Sequence, residues 1–225
     1  MNGGLKLRVI AKIRNGFPTK FGVPRQSGLA PSLKAKIVVE KEFFSPEALC
    51  GLENFSHIWI VWGFSEAKRE NWSPTVRPPR LGGNKKVGVF ATRSPFRPNP
   101  IGLSLVKIDK VESGEIFFSG ADMMDGTPVY DIKPYLPETE SISSADNGFC
   151  GKVVKKTLEV RFRSEITGEI PEDKIDVLKE ILALDPRPAY QNDPDRIYGF
   201  LFSGYEVKFR VAENVLTVVS FQELE

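Results

Sequence analysis

Residues Gly88–Ser104 read GVFATRSPFRPNPIGLS, and the eight residues Arg93–Pro100 within them contain three prolines and two arginines. Proline fixes the backbone φ angle at about −65° and removes an N–H donor, and it restricts the residue before it to extended geometry. The stretch therefore predicts a stiff loop that presents the guanidinium groups of Arg93 and Arg97. Stiffness suits a preorganised site for carboxylate or phosphate. On composition alone, a rigid connector whose arginines form salt bridges explains the stretch equally well.

Short apolar or alternating segments lie on both sides of this loop, and they predict a set of short β-strands. Ile58–Phe64 is continuously apolar, as expected of a buried strand, and Pro46–Leu49 predicts a short helical turn. Many short strands joined by long loops favour a closed or nearly closed barrel, which leaves no exposed sheet edge. The predicted strands are Leu5–Ile13, Ala35–Val39, Ile58–Phe64, Val87–Ala91, Leu103–Val111, Glu115–Ser119 and Val129–Ile132.

The pattern changes after the polar stretch Ser141–Gly151, which predicts a linker or mobile loop. Apolar residues at helical spacing predict a helix over Glu172–Leu184, which Pro186 ends. Strands are predicted at Lys156–Arg163, Ile197–Phe202, Tyr205–Val211 and Val215–Phe221. We therefore expect a mainly β protein with a β-barrel domain over residues 1–150 and a small α+β domain over residues 151–225. A unit of about 70 residues needs a surface to dock on for stability.

Composition excludes several classes of protein. The 225 residues are 41% hydrophobic and 27% charged, which is ordinary for a globular domain. The chain lacks a long apolar stretch and the features of a signal peptide, so we expect a cytoplasmic protein. Two cysteines and one histidine are too few for a disulfide scaffold or a four-ligand zinc site, and no metal is expected. His57 stands in an apolar run, which favours a structural role over a catalytic one.

Basic residues are concentrated in one part of the chain. The segment Lys68–Arg97 has eight basic residues and one acid, so its net charge is +7, whereas the whole chain carries +2. Such a cluster is sufficient to attract a phosphate backbone, although a solvated loop with a chance bias has the same composition. Trp72 and the interspersed prolines and glycines favour an ordered loop. The basic residues are Lys68, Arg69, Arg77, Arg80, Lys85, Lys86, Arg93 and Arg97.

Three further loops have polar side chains of the same kind. Phe21–Gly28 offers Arg and Gln donors, and Asp185–Tyr190 places Arg187 near Tyr190, a pair that suits nucleotide stacking or simply a proline-rich helix end. Asp125–Tyr135 begins as an Asp-Gly turn, and its Asp131, Lys133 and Tyr135 alternate along a strand and so share one face. The chain lacks the dinucleotide fingerprint and the phosphate-binding loop. A cofactor site would therefore come from loops between barrel strands.

Six segments together resemble the TsaA-like (TrmO) family over nearly the whole chain. They are FGVPRQSGL (21–29), GLENFSHIWIVWGF (51–64), RPPRLGG (77–83), GVFATRSPFRPNPIGLS (88–104), DGTPVYDIKPYLP (125–137) and DPRPAY (185–190). The resemblance implies a β-barrel methyltransferase with a small C-terminal domain. It implies a homodimer that binds S-adenosylmethionine between barrel loops, close to the dimer interface. The implied reaction is methylation of N6 of threonylcarbamoyladenosine at position 37 of threonine tRNAs.

The resemblance also implies where the site residues lie. Ser65 departs from the family pattern, because relatives often have histidine there. For proton removal the candidates are Asp131, Asp125 and His57, and the Asp131–Lys133 pair is our prediction for the catalytic residues. The substrate-binding residues are predicted to be Arg97, Arg187 and Tyr190, and the threonyl carboxylate is predicted to pair with Arg93, Arg97, Lys133 or Arg187. The implied cofactor contacts are Pro24, Arg25, Gln26, Phe64, Ser65, Arg93, Leu103, Asp125, Gly126, Thr127 and Pro128.

Two other functions fit the same sequence features. A barrel of this size can bind nucleic acid without chemistry, so the chain could be an RNA-binding sensor of an adenosyl ligand. An enzyme acting on a small molecule is the third possibility, and the basic segment disfavours it. Transfer of a labelled methyl group from the cofactor to tRNA distinguishes the methyltransferase from both.

Overall fold

The computed structural model describes residues 6–67, 72–78, 85–152, 157–188, 191 and 193–224. Six antiparallel strands close into a barrel in the order β1-β2-β7-β6-β3-β8, which confirms the predicted barrel. Two further strands, β4 (Thr75–Val76) and β5 (Val87–Gly88), form a separate ribbon. The barrel strands are β1 (Ala11–Arg14), β2 (Lys34–Val39), β3 (His57–Gly63), β6 (Ile101–Glu112), β7 (Glu115–Ser119) and β8 (Pro128–Pro134).

Alternation along the strands builds the barrel core. In β3, Ile58, Ile60 and Trp62 are buried and point inward, because successive side chains of a strand face opposite sides of the sheet. Ile13 of β1 and Ile37 of β2 are fully buried opposite each other in the register of the two strands. A barrel of this kind leaves its functional groups to the loops at its ends.

Several predicted strands are shorter than expected, and the strand predicted over Lys156–Arg163 covers Glu159–Phe162. The strand predicted from Leu5 begins at Ala11, and the preceding Leu7 and Val9 are exposed, whereas Ala11 and Ile13 are fully buried. The strand predicted over Val87–Ala91 has two residues and is followed by a 3₁₀ helix over Val89–Ala91. The stretch predicted as a linker is irregular, apart from a 3₁₀ helix over Gly148–Lys152.

The C-terminal unit is a four-stranded sheet with one main helix. The strand order is β10-β11-β12-β9, and β9 runs parallel to β12. The helix buries Val177, Leu178, Ile181 and Leu182, which matches the predicted helical spacing. No helix in the described part of the chain is long and apolar enough to cross a membrane. The helices are α1 (Pro46–Leu49), α2 (Pro137–Glu140), α3 (Ser164–Thr167) and α4 (Glu172–Ala183), and the strands of this unit are β9 (Glu159–Phe162), β10 (Tyr198–Phe202), β11 (Tyr205–Ala212) and β12 (Val215–Glu223).

The C-terminal unit docks on the barrel of its own chain. The ring of Phe17 contacts the rings of Phe200 and Phe202, with centroids 6.4 and 4.9 Å apart. Glu180 of α4 accepts hydrogen bonds from the backbone N–H and the hydroxyl of Ser32, at 2.8 and 2.9 Å. The barrel of the same chain therefore provides the surface on which this small unit was expected to dock.

Replacing Phe200 with alanine tests this junction. Phe200 is almost fully buried between the two units, and Phe→Ala in a core costs about 3–5 kcal/mol through lost burial and a cavity. We expect Phe200→Ala to lower the free energy of unfolding by about that amount, as measured by urea titration. Phe90→Ala is the matched control, since Phe90 is exposed and surface substitutions usually change stability by less than about 0.5 kcal/mol. Equal effects of the two substitutions would contradict a junction held by Phe200.

Candidate functional site

A cavity of about 560 Å³ opens where β3 ends and β6 begins. Because the two strands are antiparallel neighbours, these ends lie at the same rim of the barrel. Residues from the segments 20–26, 62–67, 92–97, 101–103 and 122–127 line the cavity. Its volume lies within the range of about 300–1,000 Å³ that is usual for small-molecule sites.

The cavity brings together most of the cofactor contacts implied by the resemblance, although the chain segments that supply them are far apart in sequence. Arg97, predicted to bind the substrate, lines it as well. The predicted cofactor contacts that line the cavity are Pro24, Arg25, Gln26, Phe64, Ser65, Arg93, Leu103 and Thr127.

Asp125, Gly126 and Pro128 lie outside this lining. The Asp125 carboxylate accepts a hydrogen bond from the Arg14 guanidinium at 3.1 Å and from the backbone N–H of Asn15 at 3.0 Å. Gly126 has a φ of +73°, a conformation that favours glycine, and its N–H donates to the Ile13 carbonyl at 2.8 Å. These two residues therefore fix the turn that precedes the buried Thr127.

Hydrogen bonds stiffen the proline-rich loop and tie it to the 20–26 segment. The Arg93 guanidinium donates to the Gln26 side-chain oxygen at 2.8 Å, which joins two predicted cofactor loops. The Arg97 guanidinium donates to the Thr92 carbonyl at 2.7 Å, across the same loop. Arg97 thus braces the loop and also lines the cavity.

The C-terminal unit supports the 20–26 segment from behind. Gly22 has a φ of +90°, and a Cβ atom there would lie 2.6 Å from the Phe200 ring. The Phe21 and Phe200 rings meet edge to face at 6.4 Å. The Arg25 guanidinium donates to the Asp185 carbonyl at 3.3 Å. One wall of the cavity is therefore held in place by the C-terminal unit.

Sequence reasoning missed Asp122, a partly buried carboxylate in the cavity wall. The Ser104 hydroxyl donates to Asp122 Oδ1 at 2.6 Å, and the Trp62 indole N–H donates to the Ser104 oxygen at 2.9 Å. Burial raises the pKa of Asp122 to about 6, against the opposing effects of the Ser104 and Ser27 hydrogen bonds and of the Arg93 charge. The signal in the sequence was a lone acid between Ala121 and Met123, just before the Asp-Gly turn.

The predicted catalytic pair lies outside the cavity lining. Asp131 and Lys133 form an ion pair at 2.8 Å on β8, and both side chains are exposed to solvent. The hydrogen bond to Asp131 raises the pKa of Lys133. The arrangement agrees with the predicted shared face of the strand, but this face is separate from the cavity.

The other predicted residues also have positions of their own. Arg187 forms two hydrogen bonds of 2.8 Å with the Asp185 carboxylate, and its side chain is only 10% exposed. Tyr190 lies outside the described residues. His57 contacts the Tyr135 ring edge to face at 6.3 Å, away from the cavity lining, which supports a structural role. Within the described ranges, no cluster of histidine, cysteine and acidic side chains could hold a metal ion.

Cationic and aromatic side chains form an exposed surface beside the cavity. The Trp72 and Phe90 rings lie 6.1 Å apart, and the Arg97 guanidinium lies 5.6 Å from the centre of the Phe90 ring. Exposed aromatics next to cations are suited to unstacked bases and phosphates. Of the basic segment, Arg77, Lys85 and Lys86 are exposed, whereas Lys68, Arg69 and Arg80 lie outside the described residues.

Comparison with known proteins places two family models on this chain. The model of the tRNA-methyltransferase O N-terminal domain matches residues 12–141, and the model of the TrmO C-terminal domain matches residues 155–224. A tRNA (adenine(37)-N6)-methyltransferase from Escherichia coli (strain K12) is 40% identical over 217 residues, which cover 91% of this chain and 92% of that protein. A putative S-adenosylmethionine-dependent methyltransferase, RcsF, from Pseudomonas aeruginosa is 42% identical, with 84% and 85% of the two chains covered. A crystal structure of TrmO from Pseudomonas aeruginosa superposes with a TM-score of 0.78 at 30% identity and covers 97% of this chain and 98% of that one.

Ser104→Ala tests the environment of Asp122. The Ser104 hydroxyl favours the ionised carboxylate, so its removal should raise the pKa of Asp122 further above about 6. The measurement is a carbon-13 NMR titration of the Asp122 carboxyl group.

Ser119→Ala is the matched control for this titration. The Ser119 hydroxyl lowers the pKa of Asp109 on the far part of β6. The control should therefore raise the Asp109 titration midpoint and leave that of Asp122 in place. An unchanged or lower Asp122 midpoint in Ser104→Ala would refute the assigned hydrogen bond.

Proposed function

The chain belongs to the tRNA-methyltransferase O family, and from this premise we propose that it methylates N6 of threonylcarbamoyladenosine at position 37 of threonine tRNA, with S-adenosylmethionine as the methyl donor. The observation that carries the proposal is the convergence of eight predicted cofactor contacts on one cavity. The proposal agrees with the names of the relatives, which are tRNA (adenine(37)-N6)-methyltransferases.

The side chains of the cavity suit the parts of S-adenosylmethionine. Phe64, whose ring packs 4.2 Å from that of Trp62, and the half-exposed Leu103 offer apolar surface to an adenine. Arg25 and Arg93 match the carboxylate of the amino-acid end. When bound, the cofactor supplies a methyl group already activated on a sulfonium, so the main task of the protein is alignment. We assign Asp125, Gly126 and Pro128 an indirect role, since they anchor Thr127.

The tRNA is proposed to dock on the aromatic and cationic surface beside the cavity. Trp72 and Phe90 are exposed, and Arg77, Lys85 and Lys86 lie in the same part of the chain. Clustered cations bind the RNA backbone and aromatic rings stack on splayed bases. This surface would bring nucleotide 37 to the mouth of the cavity.

Arg97 is the strongest candidate for the residue that pairs with the threonyl carboxylate. It lines the cavity, and its guanidinium has donors beyond the one that braces Thr92. Arg187 is committed to Asp185, whose carbonyl in turn receives the Arg25 hydrogen bond. We therefore propose a supporting role for Arg187 in place of a direct contact with the substrate.

The experiment is transfer of a labelled methyl group from S-adenosylmethionine to purified threonine tRNA, with and without threonylcarbamoyladenosine at position 37. We expect label in the modified tRNA, and nucleoside mass analysis should locate the added methyl on that nucleoside. Tight cofactor binding with no label in either tRNA would favour a non-catalytic sensor. Label in a small molecule from cell extract, but in no tRNA, would favour the third function.

The same assay with Arg97→Lys and Arg187→Lys separates the two arginines. Loss of a charge-assisted hydrogen bond costs about 1.5–3 kcal/mol, so Arg97→Lys should reduce the kcat/KM preference for the modified tRNA by about tenfold to a hundredfold. Arg187→Lys should keep the preference. The opposite pattern would transfer the recognition role to Arg187.

A cytoplasmic homodimer completes the proposal. Ile101 and Leu103 are exposed apolar side chains at the cavity, and such a pair suits a covered interface. The cytoplasm follows from the proposed substrate, tRNA. We expect analytical ultracentrifugation to give a mass twice the 25.2 kDa of one chain. A mass of one chain at micromolar concentration would remove the dimer from the proposal and leave the reaction as proposed.

A further inference from the structure

We infer that Asp122 accepts the proton that leaves N6 of the acceptor adenosine during methyl transfer. This inference rests on the proposed function, because it assigns one step of that reaction to one side chain. Asp122 was absent from the candidates that the sequence provides, and it replaces Asp131 in this role.

Position is the first argument. Among the described residues that line the cavity, the carboxylates are Glu66 and Asp122. Glu66 is exposed and lies 3.7 Å from the Lys20 ammonium, so it is held at the solvent side. The other groups considered for proton removal, Asp125, Asp131 and His57, lie outside the lining. Asp122 is thus the carboxylate that the cavity wall presents.

Preorganisation is the second argument. Ser104 on β6 and Trp62 on β3 form a chain of hydrogen bonds that ends on Asp122 Oδ1, and the backbone N–H of Ser27 also donates to the carboxylate. Neighbouring strands of the closed barrel hold Trp62 and Ser104, so the carboxylate has little freedom to turn. A general base must be held within hydrogen-bond reach of the proton that it takes.

The balance of the step is simple. The N6 electron pair forms the bond to the methyl carbon, and the electron pair of the broken carbon–sulfur bond stays on sulfur, which becomes a neutral thioether. The N6 proton moves to the Asp122 carboxylate, so the methylated nucleoside is neutral. The resulting carboxylic acid later releases its proton to solvent.

Basicity is the third argument. With a pKa of about 6, Asp122 is ionised at neutral pH and is a stronger base than an ordinary aspartate. The groups that bear on its titration are the Ser104 and Ser27 donors and Arg93, with Lys20, Arg25, Glu66 and Arg97 elsewhere in the cavity wall. Protonation removes the acceptor, so kcat/KM should fall as the pH drops below about 6.

The experiment compares Asp122→Asn with the wild-type chain on threonylcarbamoyladenosine-containing tRNA. A positioned base contributes about a hundredfold to ten-thousandfold, so we expect kcat to fall by at least about a hundredfold. The dissociation constant of S-adenosylmethionine, measured by calorimetry, should change by less than about threefold. Asp176→Asn is the matched control, because this exposed aspartate on α4 lies outside the cavity lining.

Ser104→Ala provides a second test that keeps the carboxylate. Loss of the donor should move the acidic limb of the kcat/KM profile to higher pH, in parallel with the NMR titration of Asp122 in the free protein. A merely structural role for Asp122 would lower activity equally at all pH values.

The possible outcomes distinguish failure of the inference about Asp122 from failure of the proposed function. Wild-type kcat in Asp122→Asn, with methyl transfer intact, overturns the role of Asp122 and leaves the proposed function standing. Weak cofactor binding with kcat retained at saturation makes Asp122 a binding residue and also overturns the inference. An Asp131→Asn variant with the larger loss of kcat would return the role to Asp131. Absence of methyl transfer to tRNA by the wild-type chain overturns the proposed function and the inference together.

Discussion

Closure of the barrel by the four-residue strand β1 is the constraint on which the rest of the structure depends. β1 pairs with β2 on one side and with β8 on the other, where Ala11 lies opposite Val129. Beyond the strand pairs, the backbone N–H groups of Asp125 and Gly126 donate to the carbonyls of Phe17 and Ile13, both at 2.8 Å. The Asp125–Gly126 turn therefore holds the start of β8 against β1 and against the residues that follow β1. These hydrogen bonds also explain why most of the motif Asp125–Pro128, which is implied to bind the cofactor, lies outside the cavity lining. Thr127 is the residue of this motif that lines the cavity.

Closure of the barrel also restricts the position of the 20–26 segment, because this segment follows β1 in the chain. The segment follows Phe17, whose ring packs against the rings of Phe200 and Phe202 in the C-terminal unit. It is then held by the ring of Phe200 against Gly22 and by the bond from Arg93 to Gln26. The C-terminal unit and the proline-rich loop thus both restrain this short segment. Binding costs less conformational entropy when a loop is already ordered. This restraint would therefore link the docking of the C-terminal unit to the affinity of the cavity for the proposed cofactor.

The sequence was sufficient for the features that depend on local pattern. Apolar periodicity predicted β3 and α4, and short strands with long loops predicted the barrel. Features that depend on tertiary surroundings could not be predicted from the sequence. Alternation placed Asp131 and Lys133 on one face of β8, but whether that face borders the cavity depends on strand register and on which loops cover the barrel end. The sequence predicted Arg187 as a substrate-binding residue, and in the fold it forms an ion pair with Asp185. Asp122 stands in the sequence as a lone acid between Ala121 and Met123, but the burial that raises its pKa depends on the assembled barrel.

Under the proposed function, the charge on the cofactor would also change the pKa of the partly buried Asp122 carboxylate during the reaction. Asp122 would face a positive sulfonium before methyl transfer and a neutral thioether after it. A nearby positive charge favours the ionised carboxylate and lowers its pKa, and loss of that charge raises the pKa. Asp122 would therefore be charged while the substrates assemble and would become a stronger base as N6 acquires the methyl group and must lose its proton. Arg93, whose charge acts on Asp122 in the free protein, donates a hydrogen bond to the Gln26 side chain. The change in basicity would then come from the reaction itself.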